Sequence, residues 1–239
     1  MIRTKKQYER SKKDRELSKE SYELLSEAPK VSTSGAKSKF THLIRGIDIS
    51  EHNGIIPWQT IKQSHIDFVI IRLGYGQGHL DTKFYQNVNE ALQIGLPIGI
   101  YYYSYALHEV DAKKEANFVI QVLQNCGLSP QHIPLGIWYD MEDADDYKAT
   151  YCLPPLTKQE ITNMCSVFVN TLWNAGYYHC GIYANLDWWT HHIDSSQLSC
   201  PKWCAQYNTE CDLPDVYMWQ YTNLLPLGGQ YYDGNILFP

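Results

Sequence analysis

The chain has 239 residues, 44% hydrophobic and 19% charged, enough for one large domain or two small ones with a core that needs no disulfide or metal to form. It contains no run of 18 apolar residues, so no membrane-spanning helix is expected. Residues 1–39 carry 11 Lys/Arg and 6 Asp/Glu, leaving 9 basic and 20 acidic residues for the rest, a balance that disfavours nucleic acid, whose phosphates need Lys and Arg.

In chain order, residues 1–39 read as a basic, flexible N-terminal segment. MIRTKKQYERSKKDRELSKE lacks the apolar stretch of a signal peptide, and VSTSGAKSKF (31–40) reads as a linker. From residue 40 the texture becomes that of a folded domain. Strands are predicted at 43–50, 67–74, 97–106, 134–142, 179–185, 202–207, 216–222 and 229–235, several of them apolar on both faces. Amphipathic helices are predicted at 57–64, 84–95, 111–127 and 157–176; Thr157 and Glu160 form a capping-box pattern at the start of the last. Alternation of strand and helix predicts an α/β barrel, with a last third too poor in helix for a regular eightfold repeat. Seven cysteines without a C-x-x-C read as free, mainly buried thiols, and His191-His192 reads as a packing or surface pair, with no metal expected.

In such a barrel the chemistry lies at the C-terminal ends of the strands. Asp48 follows the first strand, Asp140 and Glu142 end the fourth, and Asp233 lies in the last. Residues i and i+2 of a strand face the same way, which puts Asp140 and Glu142 about 6.5–7 Å apart at Cα. Carboxyl groups that close perturb one another, so that one keeps its proton while the other ionises, as glycoside hydrolysis requires. For Asp48, ahead of the Asn53-Gly54 turn, a turn or capping role is equally open; if all four form the site, they are expected to converge in one open cleft, with Glu142 the most buried. Tyr101, Tyr103 and Tyr105 share a face, either filling the barrel or lining a sugar cleft. Nucleophile-elbow, Walker and dinucleotide-binding patterns do not occur in the chain.

Six blocks in order carry a resemblance: G-I-D-I-S-x-x-N-G (46–54), F-V-I-I-R-L-G-Y-G (68–76), P-I-G-I-Y-Y-Y-S-Y-A (97–106), Y-D-M-E (139–142), G-I-Y-A-N (181–185), and W-Q-Y-T (219–222) with Y-D-G-N (232–235). With these the chain resembles glycoside hydrolase family 25, the Chalaropsis-type lysozymes or N-acetylmuramidases of phage endolysins and bacterial autolysins. The resemblance implies a TIM-like (β/α)5(β)3 barrel over residues 40–239 and hydrolysis of the β-1,4 bond from N-acetylmuramic acid to N-acetylglucosamine in peptidoglycan. It implies Glu142 as proton donor, Asp140 as second catalytic carboxylate, and Asp48 and Asp233 as supporting acids. Tyr75, Tyr103, Trp138, Tyr183 and Trp219 are the implied substrate-binding residues. No metal or organic cofactor is implied; the partner is the peptidoglycan glycan strand, met by a monomer at the bacterial wall. The missing signal peptide fits an endolysin released from the cytoplasm. The segment DADDYKATYCLPPLT after Glu142 is an insertion that could reshape one cleft wall. The rival readings are a hydrolase of another N-acetylhexosamine polymer such as chitin, and a non-catalytic wall-binding barrel.

Overall fold

The computed structural model describes residues 43–238, so the expected basic segment 1–39 lies outside the described residues. Nine strands form one sheet: β1 (Ile44–Ile49), β2 (Phe68–Tyr75), β3 (His79–Leu80), β4 (Ile98–Tyr103), β5 (Ile137–Asp140), β6 (Cys180–Asn185), β7 (Lys202–Ala205), β8 (Met218–Leu227) and β9 (Gln230–Leu237). The α-helices are α1 (Trp58–Gln63), α2 (Phe84–Gln93), α3 (Glu109–Asn125), α4 (Tyr147–Tyr151), α5 (Lys158–Asn174) and α6 (Leu186–His191). β1 pairs with both β2 and β9, which closes eight strands into a barrel and leaves β3 as a short addition to β2.

The pairings β1–β2, β2–β4, β4–β5, β5–β6, β6–β7 and β7–β8 are parallel, whereas β9 is antiparallel to both neighbours. Helices follow the first five barrel strands and none lies between the last three, which is the (β/α)5(β)3 arrangement. The predicted strands all fall on observed ones, and the four predicted helices match α1, α2, α3 and α5. The short elements β3, α4 and α6 were not legible. The capping box of α5 forms: Thr157 N–H donates to Glu160 Oε2 at 2.8 Å and Glu160 N–H to Thr157 Oγ1 at 3.3 Å.

The β8–β9 turn explains why β9 runs backwards. Leu227 pairs with Gln230 across Gly228 and Gly229, whose φ values of 57° and 85° suit the two-residue turns that require left-handed backbone at both positions. Two apolar layers result from strand alternation. Val69, Ile71 and Leu73 of β2 face the helices, while Phe68 and Ile70 face the barrel interior with Leu135, Trp138, Trp203 and Met218. Gly46 and Gly181 make room for that interior: a Cβ at Gly46 would meet the Phe68 ring at 2.2 Å, and one at Gly181 would meet Pro201 O at 2.3 Å and Trp138 at 2.7 Å. All seven cysteines are free thiols; Cys165, Cys180 and Cys204 are buried, and Cys126 is exposed.

Candidate active site

Above this apolar floor lies a cavity of about 350 Å³, lined in part by Asp48, Asp140, Glu142, Asp233, Tyr103 and Tyr183. All four expected carboxylates and two of the five expected aromatic residues are therefore brought together. Met141, between Asp140 and Glu142, is fully buried in the helix-facing core, so strand alternation leaves its two acidic neighbours facing the cavity.

Asp48 and Asp233 are direct partners across the antiparallel β1–β9 pair. Like charges in that position repel. Burial raises the Asp48 carboxyl to about 6, opposed by hydrogen bonds from Asn235, Gln220 and Asp233. The Asp233 carboxyl is pushed well above the ordinary range by burial, then by the charges of Asp48 and Glu142. Asp233 therefore keeps its proton and donates a hydrogen bond to Asp48. Asp48 Oδ2 also accepts from Gln220 Nε2 at 2.9 Å and Asn235 Nδ2 at 2.8 Å. Both amides are oriented by their other ends: Gln220 Oε1 accepts from the Tyr183 hydroxyl at 3.0 Å, and Asn235 Oδ1 from Trp203 Nε1 at 2.9 Å.

Asp140, at 5% exposure, is pushed well above the ordinary carboxylate range, first by burial and then by the charge of Glu142. Its Oδ1 is buried without a hydrogen-bond partner. Glu142 is half-buried, and its Oε2 accepts from Asn185 Nδ2 at 3.5 Å. The expectation that Glu142 is the most buried acid is thus corrected: Asp140 and Asp48 lie deeper. Glu142 stands beyond the end of β5, and its longer side chain reaches the cavity from the rim.

Three aromatic residues lie elsewhere than expected. Trp219 points out of the barrel into a cluster with Tyr221 and Ile236, its Nε1 donating to Gln206 O at 2.7 Å. The parity of β8 gives the cavity Gln220 instead. Trp138 faces inward but lies one pleat below Asp140, packed on Trp203 at 5.8 Å between ring centroids and donating to Leu135 O at 2.7 Å. It is floor rather than cleft wall. Tyr75 stands aside from the cavity lining, stacked on His79 at 5.2 Å. Trp138→Ala is expected to act on stability, lowering it by about 3–5 kcal/mol as large-to-small core changes do; the urea unfolding midpoint measures it.

Of the three tyrosines expected to share a face, Tyr101 and Tyr103 line the cavity, whereas sequence reading missed Arg72, Trp203, Tyr207, Gln220 and Asn223 of the lining. Gln220 and Asn235 lie inside the W-Q-Y-T and Y-D-G-N blocks, so the signal was present, one position from Trp219 and two from Asp233. Arg72 bridges Glu51 at 3.0 Å and Asp81 at 2.8 Å.

The Asp48 environment has a measurable consequence. A carboxyl raised from 3.8 to about 6 in the fold contributes stability below the unfolded value, and loses it as pH rises through about 6. That difference is worth about 3 kcal/mol at most. Asp48→Asn removes it while leaving an acceptor for Gln220 and Asn235. The variant is expected to melt above the wild type at pH 7, and the gap is expected to close by pH 4 in thermal melts at both pH values.

The autolytic lysozyme of Clostridium acetobutylicum is 24% identical over 164 residues, 69% of this chain and 45% of that protein. The modular autolysin LytC of Streptococcus pneumoniae, solved in complex with a synthetic peptidoglycan ligand, is 27% identical with a TM-score of 0.75, over 83% of this chain and 47% of that one. A family 25 glycosyl hydrolase from Bacillus anthracis superimposes with a TM-score of 0.70 at 21% identity, over 87% of this chain and 95% of that one. The chain thus spans about half the length of the first two relatives and nearly all of the third. The family described as Glycosyl hydrolases family 25 matches residues 47–230, which take in the barrel from Ile47 to the start of β9, and the chain belongs to that family.

Proposed function

We propose that this chain is a muramidase, hydrolysing the β-1,4 bond from N-acetylmuramic acid to N-acetylglucosamine in the peptidoglycan of bacterial walls. The observation that carries this reading is the convergence of Asp48, Asp140, Glu142 and Asp233 on one cavity flanked by Tyr103 and Tyr183. The peptidoglycan ligand bound by the streptococcal autolysin supports the substrate.

In this reading Glu142, at the rim, donates its proton to the glycosidic oxygen as the bond from C1 breaks. Asp140, ionised, orients the substrate's N-acetyl group, whose carbonyl oxygen attacks C1 and carries the positive charge until water opens the ring. Glu142, now a carboxylate, takes the proton of that water and is restored. Asp48 and Asp233 share a proton below the reacting centre. They limit the negative charge there, which would otherwise make Asp140 harder to ionise.

The test is clearing of bacterial wall suspensions beside release of fragments from chitin, with mass spectrometry of the new reducing ends. Clearing with N-acetylmuramic acid at the reducing end is expected. Chitin cleavage without wall clearing would move the activity to another hexosamine polymer, and no cleavage of either would overturn the hydrolase reading.

A further inference from the structure

The insertion after Glu142 carries a buried cation. Lys148, on α4, is 4% exposed. Its Nζ donates to the backbone carbonyls of Ser104 and of Glu142, the latter at 2.9 Å, and lies 5.9 Å from the centre of the Tyr103 ring. It forms no ion pair among the described residues. A buried ammonium without a direct counterion is costly, and two carbonyls could be held by an uncharged donor.

The surroundings account for the charge. The acids acting on Lys148 come from three sides: Glu115 of α3, Asp143 of the insertion, and Asp140 and Glu142 at the end of β5. Glu115 exerts the largest of these attractions and is itself drawn down by Lys148, while it also takes the Tyr139 hydroxyl at 2.5 Å and the Tyr105 N–H at 2.9 Å. Asp143 is occupied at the start of α4, accepting from the backbone N–H groups of Lys148 at 2.6 Å and Ala149 at 2.8 Å. Arg72, the cation among the cavity-lining residues, is bridged to Glu51 and Asp81. Asp140 has a buried oxygen with no hydrogen bond, so nearby positive charge is what can stabilise its ionised form. Among the influences that draw the Asp140 carboxyl down, Lys148 comes ahead of Arg72; Glu142 and Asp48 act the other way.

We propose that Lys148 is a positioning residue of the site: it anchors the backbone of the proton donor Glu142 and supplies the positive charge that lets Asp140 ionise beside it. This rests on the muramidase reading above. Burial lowers the affinity of Lys148 for its proton, and the carboxylates around it offset part of that loss. The cation and the acids therefore form one electrostatic unit, in which removing the cation raises Asp140.

The experiment is the pH profile of kcat/KM on soluble muropeptide fragments for the wild type, Lys148→Met and Lys148→Arg, with thermal melts of each. In Lys148→Met the acid limb, which reports ionisation of Asp140, is expected to move up by about one pH unit or more, the usual effect of losing a nearby opposite charge. On that limb the variant is about tenfold less active, and Lys148→Arg keeps the limb near its original place. A folded Lys148→Met with both limbs unmoved overturns the proposal, whatever its maximal rate. A second measurement needs no variant: the ¹³C resonance of Lys148 Cε in the wild type is expected to be that of a charged amine across the active range, and a neutral amine at the optimum overturns the proposal. A wild type that cleaves no fragment would overturn the muramidase reading instead, and the NMR titration still reads the charge of Lys148.

Discussion

Glu142→Gln is expected to abolish wall lysis and leave the barrel folded. The amide has the shape of the acid and keeps an oxygen for Asn185 Nδ2, which lies 3.5 Å from Glu142 Oε2. It has no carboxylic proton to deliver to the leaving oxygen, and general acid catalysis supplies roughly 10²–10⁴-fold in rate. The initial rate of turbidity loss at matched concentration measures the effect, with a thermal melt as the check on folding. A rate within tenfold of wild type would remove Glu142 from the role of proton donor.

Asp140→Asn is expected to cost about 10²–10³-fold in kcat, the size of the loss when a group that stabilises developing charge is removed. The fold should tolerate it, because the carboxyl is buried with one oxygen unpartnered and its charged form is disfavoured there. The same residue bears on stereochemistry. If Asp140 steadies the acetamido group as it attacks C1, the first product keeps the β configuration. NMR of the first-formed anomer reads this directly, and an initial α-anomer would rule out neighbouring-group participation.

Much of the barrel was legible because its strands are apolar runs with turn residues at both ends, and period-2 alternation assigns each side chain to a face. That logic located Asp140 and Glu142 and put Met141 on the opposite side. It failed at Trp219 through parity: in W-Q-Y-T the large ring drew the assignment, whereas Gln220 is the residue that faces Asp48. At Trp138 the face was right and the depth was not. Depth inside a barrel is set by strand tilt and stagger, which a single strand does not encode. Lys148 left no signal, because a five-residue helix is too short to show a period and a lone lysine in an acidic loop reads as solvated.

Eight strands, four of the helices between them and an α/β barrel were readable from local pattern alone, as were acids at the ends of the first and fourth barrel strands and within the last. These are local properties, carried by residues within a few positions of one another. What those acids are to each other depends on contacts made by strands and loops far apart in the chain. The turn at Gly228 and Gly229 reverses β9 and sets Asp233 opposite Asp48, 185 positions away in the chain numbering. Folding of the segment after Glu142 brings the Lys148 ammonium to the Glu142 carbonyl, and β8 supplies the Gln220 amide to Asp48. The reason is electrostatic: the proton affinity of a buried carboxyl depends on desolvation and on charges and dipoles within a few ångströms, and the strands and loops that deliver them are distant in sequence.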